Sequence, residues 1–268
     1  MYKFWIRLLS FIENCEDRSS TEANIADFIL KNARIFPDLS IYEVADQCHT
    51  SPASISRFCK RIGDISFKDL KNACIDYNEM IENEMDLEVT TESEEIFNLS
   101  TYFEQITKSL KETEQLIDPL SIQKTLSLIK QSDKIAFFGA TYSHIVAKNA
   151  QIKFTRLQKY CSSFSTEENQ LVEAESLTKN DLAFIISFSG TTRHIQRVSK
   201  ILSKKSIRTI ILTSDEYAAI CKHAEVVLIV SKIKNVHFNS PVIQEYAMNS
   251  IINVLYLTYA KQLLQQAK

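Results

Sequence analysis

Glycine is unusually scarce in this sequence. Only three of its 268 residues are glycine, Gly63, Gly139 and Gly190, so each is expected to meet a specific backbone requirement. The scarcity excludes two kinds of site that depend on glycine. The turn FGATYS lacks the three spaced glycines of a dinucleotide-binding fingerprint, and SFSGT lacks the G-x-S-x-G pattern of a serine nucleophile elbow.

Paired cysteines and long apolar runs are also missing. The six cysteines include no C-x-x-C pair, and together with five scattered histidines they offer no zinc-ligand spacing, so we predict no metal and no cofactor. We do not expect the N-terminal stretch MYKFWIRLLSFIENCE to be a signal peptide, because Arg7 and Glu13 interrupt its apolar run. No segment approaches the length that spans a membrane. A soluble, cytoplasmic protein without a membrane partner is therefore expected.

Charge divides the chain into two parts. The net charge is only −2, which excludes a globally basic protein but not a local nucleic-acid-binding patch. Residues 82–95, ENEMDLEVTTESEE, hold seven acidic residues and no basic one, and such a block repels itself rather than packing into a core. We predict an acidic linker at 82–95, an all-helical domain at 1–81 and a second domain at 96–268.

The first part has the pattern of a helix-turn-helix. S-x-x-E capping boxes begin at Ser19 and Ser40 and predict two helix starts. After the turn HTS, Ser51 can cap a third helix with Pro52 in its first position, and this helix is expected to stop at Gly63. Two short helices joined by a three-residue turn are typical of DNA-binding helix-turn-helix domains.

The predicted recognition helix is amphipathic and locally basic. Ile55, Phe58, Cys59 and Ile62 share one face, and residues 51–71 carry five basic against two acidic residues. Arg and Lys neutralise phosphates, and Arg can read guanine in the major groove. An ordinary solvated helical hairpin would show the same spacing. The predicted DNA-binding residues are Ser51, Ser54, Ser56, Arg57, Lys60 and Arg61.

Strands and helices alternate in the second part. The apolar segments KIAFF, YCSSF, LAFIIS, RTIILT and EVVLIV are separated by helical stretches, and a long helix follows from Pro241. Apolar strands that alternate with helices predict a doubly wound parallel sheet with both faces covered. The fold class expected from the whole sequence is an all-α helix-turn-helix domain followed by an α/β domain of this kind.

Two loops of the second part combine glycine with hydroxyl residues. FIISFSGTTRHI runs from a strand into a helix, and FFGATYS does the same, so both loops open on the carboxyl edge of the sheet, where such folds bind ligands. A helix N-terminus with nearby hydroxyls favours an anion. The alternative is that these residues only cap helices. The predicted ligand-binding residues are Gly139, Ser143, Ser187, Ser189, Gly190, Thr191 and Thr192.

No convincing catalytic set accompanies these loops. His144 and His194 lie just inside the two following helices, and a solvent-facing or cap-adjacent position is expected for each. Glu167 and Glu168 fit a solvated helix start. We therefore predict no catalytic residues and no enzymatic activity.

Both parts resemble the RpiR-type bacterial transcription regulators, which join a helix-turn-helix to a sugar isomerase (SIS) domain. SIYEVADQCHTSPASISRFCKRIGDISFKDLK, residues 40–71, resembles the DNA-binding signature, and the SIS phosphate loop S-x-S-G-x-T falls on residues 187–192. Three positions depart from the family pattern: Thr141 and Gln158 stand where glycine is usual, and His194 where an acidic residue is frequent. Of the common D-x-H-x-Q stretch only Gln170 is kept.

The resemblance implies a regulator of sugar or amino-sugar metabolism. Its partners would be double-stranded operator DNA, a phosphosugar effector and further copies of the chain in a homodimer or homotetramer. Two alternatives stay open: a phosphosugar isomerase with an accessory helical domain, and a regulator whose SIS domain is only an oligomerisation scaffold.

Overall fold

The computed structural model describes residues 2–84, 99–234 and 241–266, and its internal contacts divide the chain into two compact units, Met1–Asp86 and Leu87–Lys268. The predicted linker, residues 82–95, lies mostly outside the described residues. Its first residues, up to Glu84, continue the last helix of unit 1.

Unit 1 is helical throughout the residues described. Its apolar core gathers side chains from every helix, including fully buried Leu8, Ile25, Phe36, Phe58 and Leu70. Short helices are only marginally stable alone in water, so packing against this core is what stabilises the helices of unit 1. The helices are α1 (Tyr2–Glu13), α2 (Thr21–Lys31), α3 (Ile41–Gln47), α4 (Pro52–Gly63) and α5 (Phe67–Glu84), with a 3-10 turn at Phe36–Asp38 between α2 and α3.

The caps of α3 and α4 follow the sequence prediction. Ser40 and Glu43 form a complete capping box, and the Ser51 hydroxyl accepts the Ser54 amide at 3.2 Å. Pro52 begins α4, where its missing amide hydrogen costs nothing. The Ser51 cap helps to fix the turn between α3 and α4, whereas the capping box fixes the start of α3.

Two of the predicted helix ends were wrong by one residue. Ser20, not Ser19, caps α2 by accepting the Ala23 amide, because the Ser19 hydroxyl is bonded to the Asp17 carboxylate. Gly63 is the last residue of α4, and Asp64 takes the left-handed backbone that ends it, with φ of 51°. Aspartate tolerates this conformation better than most residues, so glycine is not needed there.

Unit 2 is a five-stranded parallel sheet with strand order β2-β1-β3-β4-β5, flanked by helices, as the alternating pattern predicts. Strand β2 ends at Ser162, two residues earlier than expected. The elements in chain order are α6 (Leu99–Leu116), α7 (Pro119–Gln131), β1 (Lys134–Phe138), α8 (Tyr142–Arg156), β2 (Tyr160–Ser162), α9 (Glu167–Ser176), β3 (Leu182–Ile186), α10 (Arg193–Lys204), β4 (Arg208–Thr213), a 3-10 helix (Ala219–His223), β5 (Val226–Ile229) and α11 (Val242–Gln266).

Alternate strand residues serve two separate cores. Phe137 and Phe184 pack with α7, α8 and α11 on one face, whereas Phe138 and Ile185 pack with α9 and α10 on the other. Successive side chains of a strand point to opposite faces, so a continuous apolar run is required when both faces are covered. The arrangement brings the carboxyl ends of β1 and β3 side by side.

A buried ion pair fixes α9 against the start of the sheet. The Lys134 ammonium lies 2.6 Å from a carboxylate oxygen of Glu173, whose side chain is 8% exposed, and the Ser162 hydroxyl donates to the same carboxylate. The cluster therefore joins β1, β2 and α9. If either partner of this buried pair were removed or displaced, the other would be left as an uncompensated charge. The cluster therefore strongly constrains the position of α9.

Five non-glycine residues adopt positive φ among those described: His49, Asp64, Thr141, Gln158 and Ser206. Gln158, with φ of 63°, lies in the exposed turn between α8 and β2. A left-handed backbone costs a residue with a Cβ about 1 kcal/mol or more.

Replacing Gln158 with glycine should therefore stabilise unit 2. We expect Gln158→Gly to raise the free energy of unfolding by about 0.5–1 kcal/mol, since relief of strain exceeds the entropy that glycine adds to the unfolded chain. Urea denaturation would measure the change. Gln158→Ala is the matched control and should give no gain; an equal gain from alanine would mean that loss of the amide, not the backbone, is responsible.

The two units should fold separately. A fragment beginning at Leu87 contains the whole sheet and both of its cores, so it should fold and oligomerise without unit 1. Circular dichroism and size-exclusion chromatography would test this. An aggregated or monomeric fragment would contradict it.

Candidate functional site

Helix α4 has one buried face and one exposed face. Ile55, Phe58 and Cys59 are at most 1% exposed and Ile62 is also buried, as the spacing predicts. Ser56, Arg57, Lys60 and Arg61 are exposed. The helix thus presents its basic residues to solvent, and its buried apolar face holds it in the core of unit 1.

The six predicted DNA-binding residues have different surroundings. Ser51 and Ser54 are joined at 3.1 Å at the start of α4, and the Arg57 guanidinium donates to the Ser54 hydroxyl at 3.1 Å. Arg61 instead forms an ion pair with Glu22 of α2, and its guanidinium lies 6.0 Å from the Phe11 ring. Arg61 is therefore held by another helix of unit 1, whereas the Arg57 side chain is bonded within α4 itself.

Gly139 and Gly190 are both required by packing at the carboxyl edge of the sheet. A Cβ on Gly139 would lie 2.6 Å from the Ser143 carbonyl oxygen, so the first turn of α8 can approach β1 only because Gly139 has no side chain. Gly190 has φ of 65°, and a Cβ there would overlap the side chain of Ala218. Both glycines shape their loops rather than offer side chains to a ligand.

A cavity of about 170 Å³ lies at this edge, between the loop that follows β1 and the loop that follows β3. Four predicted residues line it, namely Ser143, Ser187, Ser189 and Thr192; Gly139, Gly190 and Thr191 do not line it. The lining residues are Ala140, Thr141, Ser143, Ser187, Phe188, Ser189, Thr192, Lys234, Pro241 and Gln244. The two loops that the sequence singled out therefore form one site.

The hydroxyl residues of these loops do more than cap helices. Thr141 and Thr192 occupy the N-cap positions of α8 and α10, yet neither side chain makes a capping hydrogen bond. The Ser189 and Thr191 hydroxyls lie 2.7 Å apart and are joined to each other. Capping alone does not explain the Thr192 hydroxyl, which lines the cavity.

Hydrogen bonds with β4 and the residue after it fix the backbone of the loop that follows β3. The Phe188 carbonyl accepts hydrogen bonds from the Thr213 hydroxyl at 2.9 Å and from the Ser214 hydroxyl at 3.0 Å. The Ser187 amide donates to the Leu212 carbonyl at 3.0 Å. The loop is therefore held in place before any ligand arrives, which reduces the entropic cost of binding.

His194 is buried, so the solvent-facing alternative was wrong; it does lie next to the cap of α10, two residues after the N-cap Thr192. It is 5% exposed, and its Nε2 lies 3.1 Å from the Gln170 side-chain oxygen. Burial lowers the pKa of His194, and burial also lowers that of His144, which is partly buried. The apolar environment favours neutral imidazoles in both cases.

Gln170 connects the pieces of this edge. Its side-chain nitrogen donates to the Gly139 carbonyl at 2.9 Å and to the Phe164 carbonyl at 2.8 Å, while its oxygen faces His194. Gln170 is the one residue of the family stretch D-x-H-x-Q that this chain keeps. It forms a buried link between the loops after β1 and β2 and the start of α10.

The sequence analysis missed Lys234 and Gln244. Gln244 is 1% exposed, lines the cavity from the first turn of α11, and its Oε1 is buried with no hydrogen-bond partner in the described part of the chain. Lys234 supplies a cation to the cavity from the segment after β5. Neither lies in a glycine- or serine-rich loop; the available signal was a glutamine directly after the apolar residues that begin the terminal helix.

Thr141 keeps a backbone that usually requires glycine. Its φ of 49° and ψ of −124° lie in a region that a β-branched residue rarely adopts. Thr141 and Gln158, the two positions where the family pattern has glycine, therefore both retain positive φ in this chain.

Other kinds of site find no support in the described ranges. There, no three His, Cys, Asp or Glu side chains are arranged to hold a metal ion. Likewise, none of the helices described is both long and apolar enough to cross a membrane. Burial raises the pKa of the Cys59 and Cys161 thiols to about 11 and that of Cys74 to about 12, so these thiols are poor nucleophiles.

Comparison with known proteins assigns both units. Residues 7–79 match the model of the helix-turn-helix domain of the rpiR family, and residues 128–258 match the model of the SIS domain. The first match contains α3 and α4, and the second contains every strand of the sheet and both loops of the cavity.

Relatives share this organisation over most of their length. An uncharacterized HTH-type transcriptional regulator of Caldanaerobacter subterraneus is 28% identical over 90% of this chain and 86% of its own. The HTH-type transcriptional regulator RpiR of Escherichia coli K12 is 21% identical over 80% of this chain and 72% of its own.

The fold is shared with a solved structure of the same extent. The Vibrio vulnificus NanR protein, complexed with ManNAc-6P, aligns with a TM-score of 0.58 and 20% identity over 98% of this chain and 96% of its own. With both family models matched in the same order along the sequence, the chain belongs to the RpiR-type transcriptional regulators with a helix-turn-helix and a SIS domain.

Proposed function

We propose that this protein is a cytoplasmic regulator of sugar or amino-sugar metabolism that binds operator DNA through α4 and senses a phosphosugar without converting it. It acts as a homodimer or homotetramer. The observation that carries the proposal is the cavity at the sheet edge, which combines five hydroxyl side chains with the starts of α8 and α10.

The phosphate would bind at the loop after β3. Ser187, Ser189 and Thr192 offer hydroxyls there, and the first turn of α10 offers backbone amides whose dipole favours an anion. Ser143 faces the same cavity from α8, and Lys234 adds a positive charge. Hydroxyls, amides and one cation suit a phosphate dianion better than a neutral ligand.

The sugar would bind nearer to α11. The buried Oε1 of Gln244 has no hydrogen-bond partner among the residues that the structure describes, and such an atom costs free energy unless a ligand donates to it. A sugar hydroxyl or the N–H of an amino sugar is a suitable donor. The NanR protein, which shares this fold, was solved with ManNAc-6P, a ligand of the same chemical class.

The site favours sensing over turnover. Isomerisation requires a base placed beside the carbonyl of the substrate. Neither His144 nor His194 lines the cavity, and the Nε2 of His194 faces an amide oxygen rather than a carboxylate that would orient a catalytic base. The relatives named above are regulators rather than isomerases.

DNA contact would centre on three residues of α4. Ser56, Arg57 and Lys60 are exposed, and among the described residues none of their side chains is held by another element of unit 1. Ser51 and Ser54 orient Arg57 from the start of the helix. Arg61 would contribute to DNA binding mainly indirectly, through its ion pair with Glu22. A helix with this exposed face fits the major groove.

Loss of Arg57 or Lys60 should weaken operator binding. Each of Arg57→Ala and Lys60→Ala should cost about 1–3 kcal/mol, because a charged contact to a base or phosphate is lost. Fluorescence anisotropy with the operator would measure this. Lys31→Ala, on the exposed part of α2, is the matched control; affinities equal to that of the control would exclude α4 from the interface.

Removal of two cavity hydroxyls should abolish the response to effector. The double variant Ser189→Ala, Thr192→Ala should lose the thermal shift given by a phosphosugar panel that includes ManNAc-6P, and should bind DNA normally without effector. The response of the parent protein should correspond to a coupling of about 1–3 kcal/mol between the two ligands. Ser100→Ala with Thr107→Ala on α6 is the control.

Two results would contradict the proposal in different ways. Conversion of any phosphosugar by the purified protein would establish an isomerase. Absence of a thermal shift with every member of the panel, for the parent protein as well, would favour a SIS domain that serves only as an oligomerisation scaffold.

A further inference from the structure

Helix α10 carries a row of cations that the cavity does not use. Arg193, Arg197, Lys200 and Lys204 recur at intervals of four, three and four residues, so they lie on one face of the helix, and all four are exposed. Eleven residues separate the first from the last, which corresponds to about 16 Å along the helix. We call these four residues the basic ridge.

The basic ridge is unfavourable for the isolated helix. No acidic residue occurs between Arg193 and Lys205, and like charges three or four residues apart repel each other. Arg193 and Arg197 also lie in the N-terminal part of the helix, where the dipole disfavours cations. Within the described residues, none of the ion pairs involves a member of the basic ridge.

A groove with both polar and apolar lining residues runs beside the second half of the ridge. It lies between α10 and the 3-10 helix Ala219–His223, and its volume is about 410 Å³. Ser199 and Ser203 line it together with Lys200, Lys204 and His223. Serine hydroxyls and lysine ammonium groups are the side chains that commonly contact nucleic-acid phosphates.

We propose that the basic ridge and this groove bind the phosphate backbone of double-stranded DNA, as a contact additional to the one made by α4. The proposal rests on the proposed binding of DNA by unit 1, which brings duplex DNA to the protein. Duplex DNA carries one negative charge for every ~1.7 Å of its axis, so it can meet cations spread along the whole ridge. A single small phosphate can meet only one or two of them.

The contact should be independent of sequence. Lysine ammonium groups and serine hydroxyls at the groove would hold phosphate oxygens, and such contacts raise affinity without reading bases. An acidic segment of another protein is the competing occupant. A family whose members are DNA-binding regulators makes the duplex the better match.

The test uses the full-length protein and a labelled duplex of arbitrary sequence, about 40 base pairs long, with salt varied from about 50 to about 200 mM. Lys200→Gln with Lys204→Gln should make the slope of log affinity against log salt less steep by about 2, about one for each lysine. Lys108→Gln with Lys111→Gln, two exposed lysines of α6, is the matched control and should keep the parent slope. The ridge variant should be at least as heat-stable as the parent, because repulsion is relieved.

Each other outcome identifies a different failure. Equal slopes for the ridge variant and the control overturn the additional contact, and a reduced affinity of Arg57→Ala, Lys60→Ala in the same assay would show that binding by α4 nevertheless stands. A parent protein that binds no duplex overturns both. A ridge variant that loses binding to a polyglutamate peptide but keeps its salt slope would assign the surface to an acidic protein instead.

Discussion

The carboxyl edge of the sheet, where the cavity lies, depends on the hydrogen bonds of one buried amide. Gln170 reaches from α9 to the Gly139 carbonyl, to the Phe164 carbonyl and to the His194 ring, and so it joins the loops after β1 and β2 to the start of α10. The position of α9 in turn depends on the ion pair of Glu173 with Lys134. A parallel sheet brings its carboxyl ends together by topology, but the side-chain amide sets the distances between the loops that follow them.

Whether a glycine at this edge of the sheet can be replaced depends on why the glycine is needed. At Gly139 and Gly190 a Cβ would collide with a neighbouring element, so no other residue fits. At positions 141 and 158 space is available and only the backbone conformation is demanding, so threonine and glutamine can replace glycine at the expense of strain. A steric clash therefore excludes every residue except glycine, whereas the strain of an unfavourable backbone conformation can be offset by the packing around it.

Much of the architecture was predictable because its signals are local. The strands KIAFF and RTIILT end where predicted, and the caps at Ser40 and Ser51 are formed as expected. The errors at Ser19 and Gly63 came from choices between adjacent residues that depend on side-chain partners. Of the cavity, the parts in the two loops were predictable, but Gln244 and Lys234 were not, because only the fold brings the start of α11 and the segment after β5 to that edge.

The burial of the cysteines gives each unit an internal chemical reporter. Cys59 and Cys74 lie at 0% exposure in the core of unit 1, and Cys161 is buried in the core of unit 2. A thiolate is the reactive form of cysteine, so an alkylating reagent can modify these residues only after the surrounding helices separate. The rate of alkylation at each position therefore measures how often its own unit opens, and effector or DNA binding to one unit would register as slower labelling in that unit.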